Sequence, residues 1–144
     1  MDGAATAKHN GCDFIVALGG GSVMDASKAI ALMATNEGDL WDYVPSGTGK
    51  GKVYNNKPLP IIAITTTAGT GSEVDKWGVV TNVDTHEKIG VGTEDTFPVL
   101  SIVDPELMLS VPPQFTAYQG FDALFHSVEA YITKFTNLMS DMFC

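Results

Sequence analysis

The clearest pattern along the chain is a series of short apolar runs, each followed by a polar segment. Residues 13–18, 59–66 and 99–103 are such runs. The first is typical of a strand buried on both faces of a parallel sheet, the second is predicted to be another buried strand, and the third is an apolar strand. Apolar side chains at helical spacing follow the first run over residues 23–35. The pattern therefore predicts an α/β fold in which strands and helices alternate.

Further segments complete the predicted architecture. Residues 76–83 and 88–92 alternate apolar and polar side chains on either side of a turn, which favours an antiparallel hairpin. After a proline pair, a long helix is predicted over residues 114–133. Because the α/β pattern then becomes purely helical, we expect a partial α/β domain over residues 1–104 and the beginning of a helical domain over residues 105–144.

Composition excludes several classes of partner. The 144-residue chain has a formal net charge of −9, and all of its eight basic residues are lysines. A nucleic-acid surface is therefore not expected, since neutralising phosphates requires clustered cations. No apolar run approaches the roughly 20 residues of a membrane-spanning helix, so no membrane contact is expected. The two cysteines match neither a zinc site nor a disulfide framework, and we expect a cytoplasmic protein.

A glycine loop separates the first predicted strand from the helix that follows it. Gly19, Gly20 and Gly21 permit a tight turn and the close approach of a ligand, and the helix start attracts an anion such as a pyrophosphate. We expect Ser22 to be the N-cap and Asp25 to lie in the first turn, where its charge suits the helix dipole. A tight turn without a ligand explains the same residues, and their spacing matches neither the dinucleotide fingerprint nor the P-loop.

Residues 65–73 (TTTAGTGSE) form a second polar loop, again at the end of an apolar strand. Ligands of open α/β sheets gather at the carboxyl ends of the strands, so the two loops are expected to converge on one crevice. Hydroxyl groups and exposed amides suit the ribose and phosphates of a nucleotide. A turn-rich loop capped by its own threonines is the alternative interpretation.

Asp122 and His126 lie one turn apart in the predicted long helix. This spacing places a carboxylate and an imidazole on one helix face, within reach of a single metal ion. On spacing alone, two solvent-exposed side chains or a local hydrogen-bonded pair explain them at least as well. Glu129, three residues further on, either orients His126 or is solvated.

Four motifs occur in one order along the chain: GGGSVMDASKAIA, PIIAITTTAGTGSE, SIVDPELM and QGFDALFHSVEAYI. Together they resemble the iron-containing (group III) alcohol dehydrogenases. The resemblance implies part of a Rossmann-like nucleotide-binding domain, followed by the start of an all-α domain that binds a divalent metal, usually iron, or zinc. The implied enzyme is a homo-oligomer that transfers hydride between a small-molecule alcohol or aldehyde and NAD or NADP.

The resemblance also assigns roles to individual residues. Asp122 and His126 match two metal ligands and are the implied catalytic residues. Asp75 departs from the family, which often has threonine there, and its carboxylate would repel a nucleotide phosphate. The implied cofactor-binding residues are Gly20, Gly21 and Ser22 at the pyrophosphate with Asp25 nearby, Thr66, Thr67 and Thr70 along the nucleotide and nicotinamide ribose, Lys88 at the ribose, and Leu107 against the nucleotide.

By the same resemblance, parts of the enzyme are missing from this sequence. The family's metal site uses one aspartate and three histidines, and the last two histidines belong to later helices. His9 and His86 lie in the α/β half, where a surface position explains them. We therefore expect an incomplete chain that is inactive alone. Two alternatives stay open: a non-catalytic nucleotide-binding remnant, and a glycerol-dehydrogenase-like member of the same superfamily.

Overall fold

A computed structural model describes residues 2–144 and contains two sheets. The strands are β1 (Ile15–Gly19), β2 (Ile61–Thr65), β3 (Gly78–Asn82), β4 (Glu87–Val91) and β5 (Leu100–Val103). In the first sheet β2 lies between β1 and β5, and all three run parallel, with Ala17 opposite Ala63 and Ala63 opposite Ser101. β3 and β4 pair in the predicted antiparallel hairpin. These observations confirm the predicted α/β fold.

Five α-helices accompany the strands within the described residues. They are α1 (Asp2–His9), α2 (Gly21–Thr35), α3 (Leu40–Tyr43), α4 (Pro113–Ile132) and α5 (Leu138–Asp141). Gly11, just beyond α1, has a φ of +61°, a left-handed conformation that glycine adopts without strain. Pro113 begins α4, where its missing N–H needs no partner. No helix in residues 2–144 is long and apolar enough to cross a membrane.

Helix α2 is the centre of the fold. It packs against the parallel sheet on one side and against the hairpin on the other. Small side chains allow this close packing on both sides. On the sheet side the buried side chains are Ala17, Met24, Ala31, Ile61 and Ala63. On the other side they are Ala4, Ala29, Met33, Leu40, Tyr43, Val44 and Val91.

The prediction that β1 is buried on both faces is wrong. Ala17 is completely buried, but its neighbours Val16 and Leu18 are 53% and 59% exposed. Helix α2 covers one face of the sheet, and no described element covers these side chains on the other face. The unbroken apolar run therefore marks a strand with only one covered face in residues 2–144.

The helix predicted over residues 114–133 is α4, and its position differs from that of α2. None of its side chains is buried, whereas α2 buries seven. A short 3-10 turn, Pro105–Met108, precedes it and is capped by the Asp104 carboxylate, which accepts from the Glu106 N–H at 2.9 Å. The division into domains at residue 104 stays a prediction.

Candidate nucleotide- and metal-binding cleft

The two polar loops that follow β1 and β2 meet, as the parallel sheet requires. The Thr66 N–H donates to the Gly19 carbonyl oxygen at 3.0 Å. A Cβ on Gly20 would lie 2.8 Å from Thr67 Oγ1, so this glycine allows the two loops to touch. At the next residue, a Cβ on Gly21 would lie 2.7 Å from the Thr70 side chain. The predicted convergence of the loops is therefore observed.

Helix α2 begins two residues earlier than predicted, because its N-cap is Gly20 and not Ser22. Gly20 has an extended backbone (φ −88°, ψ −169°) and offers no side chain to the first-turn amides. Ser22 is instead the second helical residue, because the flexible glycine backbone enters the helix sooner. A helix start without a side-chain cap leaves its N–H groups for an anion or water.

Asp25 lies beyond the first turn, which corrects its predicted position, and its carboxylate is engaged by the protein. Oδ1 accepts from the Ser72 hydroxyl at 2.7 Å, and Oδ2 accepts from the Val79 N–H at 3.0 Å. The side chain thus joins α2 to the second loop and to the first strand of the hairpin. This contact holds the hairpin, and with it Lys88 on β4, beside the glycine loop.

Lys28 of α2 is only 1% exposed, although no sequence motif predicted a role for it. Its Nζ lies 2.7 Å and 2.9 Å from the carbonyl oxygen and Oγ of Ser72, 2.9 Å from Asp75 Oδ1 and 2.8 Å from the Trp77 carbonyl oxygen. The sequence signal for this buried contact is a lysine at position 28, among the apolar positions of the predicted helix over residues 23–35. The contact also accounts for Asp75, whose charge pairs with Lys28.

These elements surround a cleft of about 1030 Å³. Six predicted site residues line it: Ser22, Asp25, Thr70, Lys88, Asp122 and His126. Ser72, Asp75 and Trp77 lie in the same wall, and Asp2 of α1 also lines the cleft. The cleft therefore brings together residues of the glycine loop, the second loop, the hairpin and helix α4.

Five predicted cofactor-binding residues do not line this cleft. Gly20 and Gly21 lie in the first loop and Thr66 and Thr67 in the second, where the loops contact each other. Leu107 lies on the 3-10 turn before α4 and is 40% exposed. Contact of these residues with a cofactor stays a prediction.

The metal-ligand pair has the spacing expected of two donors to one ion. His126 Nε2 lies 3.6 Å from Asp122 Oδ1, and the side chains are 59% and 45% exposed. Two ligands of a tetrahedral ion, each about 2.1 Å from it, are about 3.4 Å apart, so the pair fits such an ion with little adjustment. Within residues 2–144 no group of three or more His, Cys, Asp or Glu side chains is arranged to hold a metal. The described chain thus supplies two donors.

The other histidines and Glu129 are all exposed. His9 and His86 are exposed in the α/β half, as predicted. Glu129 is exposed on α4, which agrees with a solvated side chain.

The sequence profile described as "Iron-containing alcohol dehydrogenase" matches residues 1–105. The chain belongs to the iron-containing alcohol dehydrogenase family. The match confirms the resemblance inferred from the four motifs. It covers the α/β part, which contains both polar loops, the hairpin and strand β5.

Relatives in this family match nearly all of the chain. "Alcohol dehydrogenase 4" of Schizosaccharomyces pombe is 44% identical over 140 residues, which are 96% of this chain and 32% of the relative. "1,3-propanediol dehydrogenase" of Klebsiella pneumoniae is 45% identical over 140 residues, 97% of this chain and 35% of the relative. The chain therefore spans about a third of the length of the relatives that it matches.

Solved structures of the family share the fold. Sulfoacetaldehyde reductase from Bifidobacterium kashiwanohense, in complex with NAD+, aligns with a TM-score of 0.87 and 43% identity, covering 96% of this chain and 36% of that one. An archaeal halo-thermophilic alcohol dehydrogenase from a Red Sea brine pool aligns with a TM-score of 0.91 and 40% identity, covering 98% and 36%. The α/β arrangement described above is thus that of the iron-containing alcohol dehydrogenases.

Proposed function

We propose that this chain forms the nicotinamide-nucleotide-binding part of a metal-dependent, NAD(P)-linked dehydrogenase that acts on a small alcohol or aldehyde. The observation that carries the proposal is the cleft, in which Ser22, Thr70 and Lys88 lie with Asp122 and His126. A cofactor and a metal must lie side by side in such an enzyme, because the substrate contacts both. One cleft with both sets of residues meets this requirement.

The electrostatics of the cleft support a phosphate-bearing ligand. Among the described residues, four aspartates line it: Asp2, Asp25, Asp75 and Asp122. Of the two beside the second loop, Asp25 accepts two hydrogen bonds and Asp75 is paired with buried Lys28, while Asp122 is the candidate metal ligand. Lys88 contributes a cation from the hairpin. The start of α2 adds N–H groups without a side-chain cap. The anion would therefore meet Lys88 and the helix start, while the carboxylates of Asp25 and Asp75 are held by the protein.

Relatives point to the same cofactor. A structure 43% identical to this chain is a complex with NAD+, and a further structural relative is named an NADH-dependent butanol dehydrogenase. Other relatives are named for alcohol, propanediol and methanol substrates. We infer that residues 1–104 bind the nucleotide and that residues 105–144 begin a helical metal-binding domain. Gly20, Gly21, Thr66, Thr67 and Leu107 belong to this assignment.

Asp122 and His126 would hold the metal. A bound divalent ion, iron by the name of the family, would polarise the alcohol oxygen as a Lewis acid. Asp122 would serve as an ionised carboxylate and His126 as a neutral imidazole, each donating one atom to the ion. Because the described chain offers two donors, we expect weak metal binding and no turnover from this chain by itself.

The test combines cofactor fluorescence with metal titration of the purified chain. We expect NADH binding in wild type, and we expect Asp122→Asn to weaken Zn²⁺ or Fe²⁺ binding by about tenfold or more while NADH binding is unchanged. Glu129→Gln is the matched control, since it removes a nearby exposed carboxylate on the same helix. Equal metal affinities in both variants would overturn the ligand assignment.

Binding of NADH without any metal binding would instead favour the non-catalytic nucleotide-binding remnant. Absence of both would contradict the proposed function altogether. NADH binding and metal binding are therefore measured on the wild-type chain before any variant is compared with it.

A further inference from the structure

Helix α4 holds the two metal donors, yet it has no buried side chain with which to hold its own position. At Gln119 it contacts the second polar loop. The Ala68 N–H donates to Gln119 Oε1 at 2.9 Å, which joins residues 51 positions apart in the chain. Gln119 is partly buried, unlike most of α4.

The backbones of the loop and the helix also approach each other closely at this residue. Gly69 has a φ of +137°, and a Cβ on it would lie 2.9 Å from the Gln119 carbonyl oxygen. Any other side chain at Gly69 would push the loop from the helix. The hydrogen bond and the close approach are separate observations of one contact.

This contact lies between the loop residues and the metal-ligand residues that line the cleft. The next loop residue, Thr70, lines the cleft and touches the start of α2 at Gly21. On the helix, Gln119 precedes Asp122 by three residues and His126 by seven, so all three share one face. The contact at residues 68–70 therefore lies on the helix face that also presents the two metal donors.

We propose that Gln119 is a positioning residue that couples the nucleotide-binding loop to the metal-ligand helix. The proposal rests on the proposed function, since it concerns the same two ligands. If a nucleotide orders residues 68–70, the Gln119 contact orders α4, and metal binding then requires less ordering. By linkage, a bound metal must favour the nucleotide by the same factor.

The experiment measures this factor in both directions. Zn²⁺ is titrated by calorimetry without NADH and with saturating NADH, and NADH is titrated without and with Zn²⁺. In wild type we expect each ligand to tighten binding of the other by about fivefold or more. In Gln119→Ala the factor should fall to about 1, because loop and helix no longer share a hydrogen bond.

Two variants separate positioning from general stability. Gln119→Glu keeps an oxygen acceptor for the Ala68 N–H and should restore the coupling. Gln114→Ala removes an exposed glutamine of the same helix, whose side chain donates to the Tyr118 hydroxyl within α4, and should leave the coupling unchanged. Hydrogen exchange of the Ala68 amide needs no ligand, and it should accelerate in Gln119→Ala alone.

The outcomes distinguish this proposal from the proposed function. Unchanged coupling and unchanged Ala68 exchange in Gln119→Ala would overturn the role of Gln119 while both ligands still bind. A wild-type chain that binds neither NADH nor Zn²⁺ would overturn the proposed function and the coupling together. Lost coupling in Gln119→Ala that Gln119→Glu restores is the result that we expect.

Discussion

Replacing Lys28 by methionine tests how much the wall of the cleft depends on one buried cation. Lys28 is 1% exposed, and its ammonium group lies within 2.9 Å of four oxygen atoms on Ser72, Asp75 and Trp77. Methionine is unbranched and of similar length, so the substitution removes the charge and the donors without leaving a large cavity. The loss of stability then reports on the contacts themselves.

The magnitude follows from which acceptors are left without a donor. The carbonyl oxygens of Ser72 and Trp77 lose Lys28, and an unsatisfied buried carbonyl costs about 1–3 kcal/mol, with the partly buried Trp77 contact at the low end of that range. The Ser72 hydroxyl still donates to Asp25, and Asp75, whose side chain is 42% exposed, still accepts from the Trp77 N–H at 2.6 Å. We therefore expect Lys28→Met to lower the free energy of unfolding by about 2–4 kcal/mol, the combined cost of the two carbonyls.

Urea unfolding followed by circular dichroism measures this change. Lys57→Met is the control, because Lys57 is 82% exposed and pairs with Asp95 at 2.9 Å on the surface. Such surface pairs contribute less than about 1 kcal/mol. If the two variants differ by less than about 1 kcal/mol in unfolding free energy, burial of the Lys28 ammonium is not what stabilises the wall, and the reasoning fails.

Other contacts lead to further expectations. Gly20→Ala places a Cβ 2.8 Å from a threonine hydroxyl and should raise the Kd for NADH about tenfold in a fluorescence titration, whereas Gly120→Ala meets no atom within 4 Å and should not. Tyr54→Phe removes a buried hydroxyl without a partner in residues 2–144 and should stabilise the fold by about 1 kcal/mol in urea. Because burial raises the pKa of Tyr54 to about 12, wild type should lose more stability than this variant as pH rises from about 10 through 12. Hydrogen bonds from two threonines lower the pKa of Glu87, so Glu87→Gln should reduce the stability that wild type loses as pH falls through that pKa in acid unfolding.

Local patterns predicted most of the elements. The hairpin, the three parallel strands and helix α4 lie where periodicity indicates, since each pattern is set by neighbours within a few residues. The predicted N-cap of α2, Ser22, was wrong, because the flexible backbone of Gly20 allows the helix to begin two residues earlier. Burial of β1 on both faces was also wrong, because an apolar run does not specify what covers it.

The candidate site could be predicted in part. Two polar loops after parallel strands were expected to converge, and Ser22, Thr70 and Lys88 do line one cleft. Leu107 does not line it, because the place of this residue depends on how the chain turns after β5. The family resemblance named these residues, while their shared cleft required the arrangement of α2, the hairpin and α4.

By itself, the sequence determined the family, the order of strands and helices, and the one-turn spacing of Asp122 and His126. These depend on residue identity and on periods of two to four residues. Only the tertiary structure decided that Lys28 meets acceptors 44 to 49 residues away and that Gln119 meets a loop 51 residues away. No local period encodes such contacts, because they arise when packing of apolar faces brings distant polar groups together and burial then requires each to find a partner.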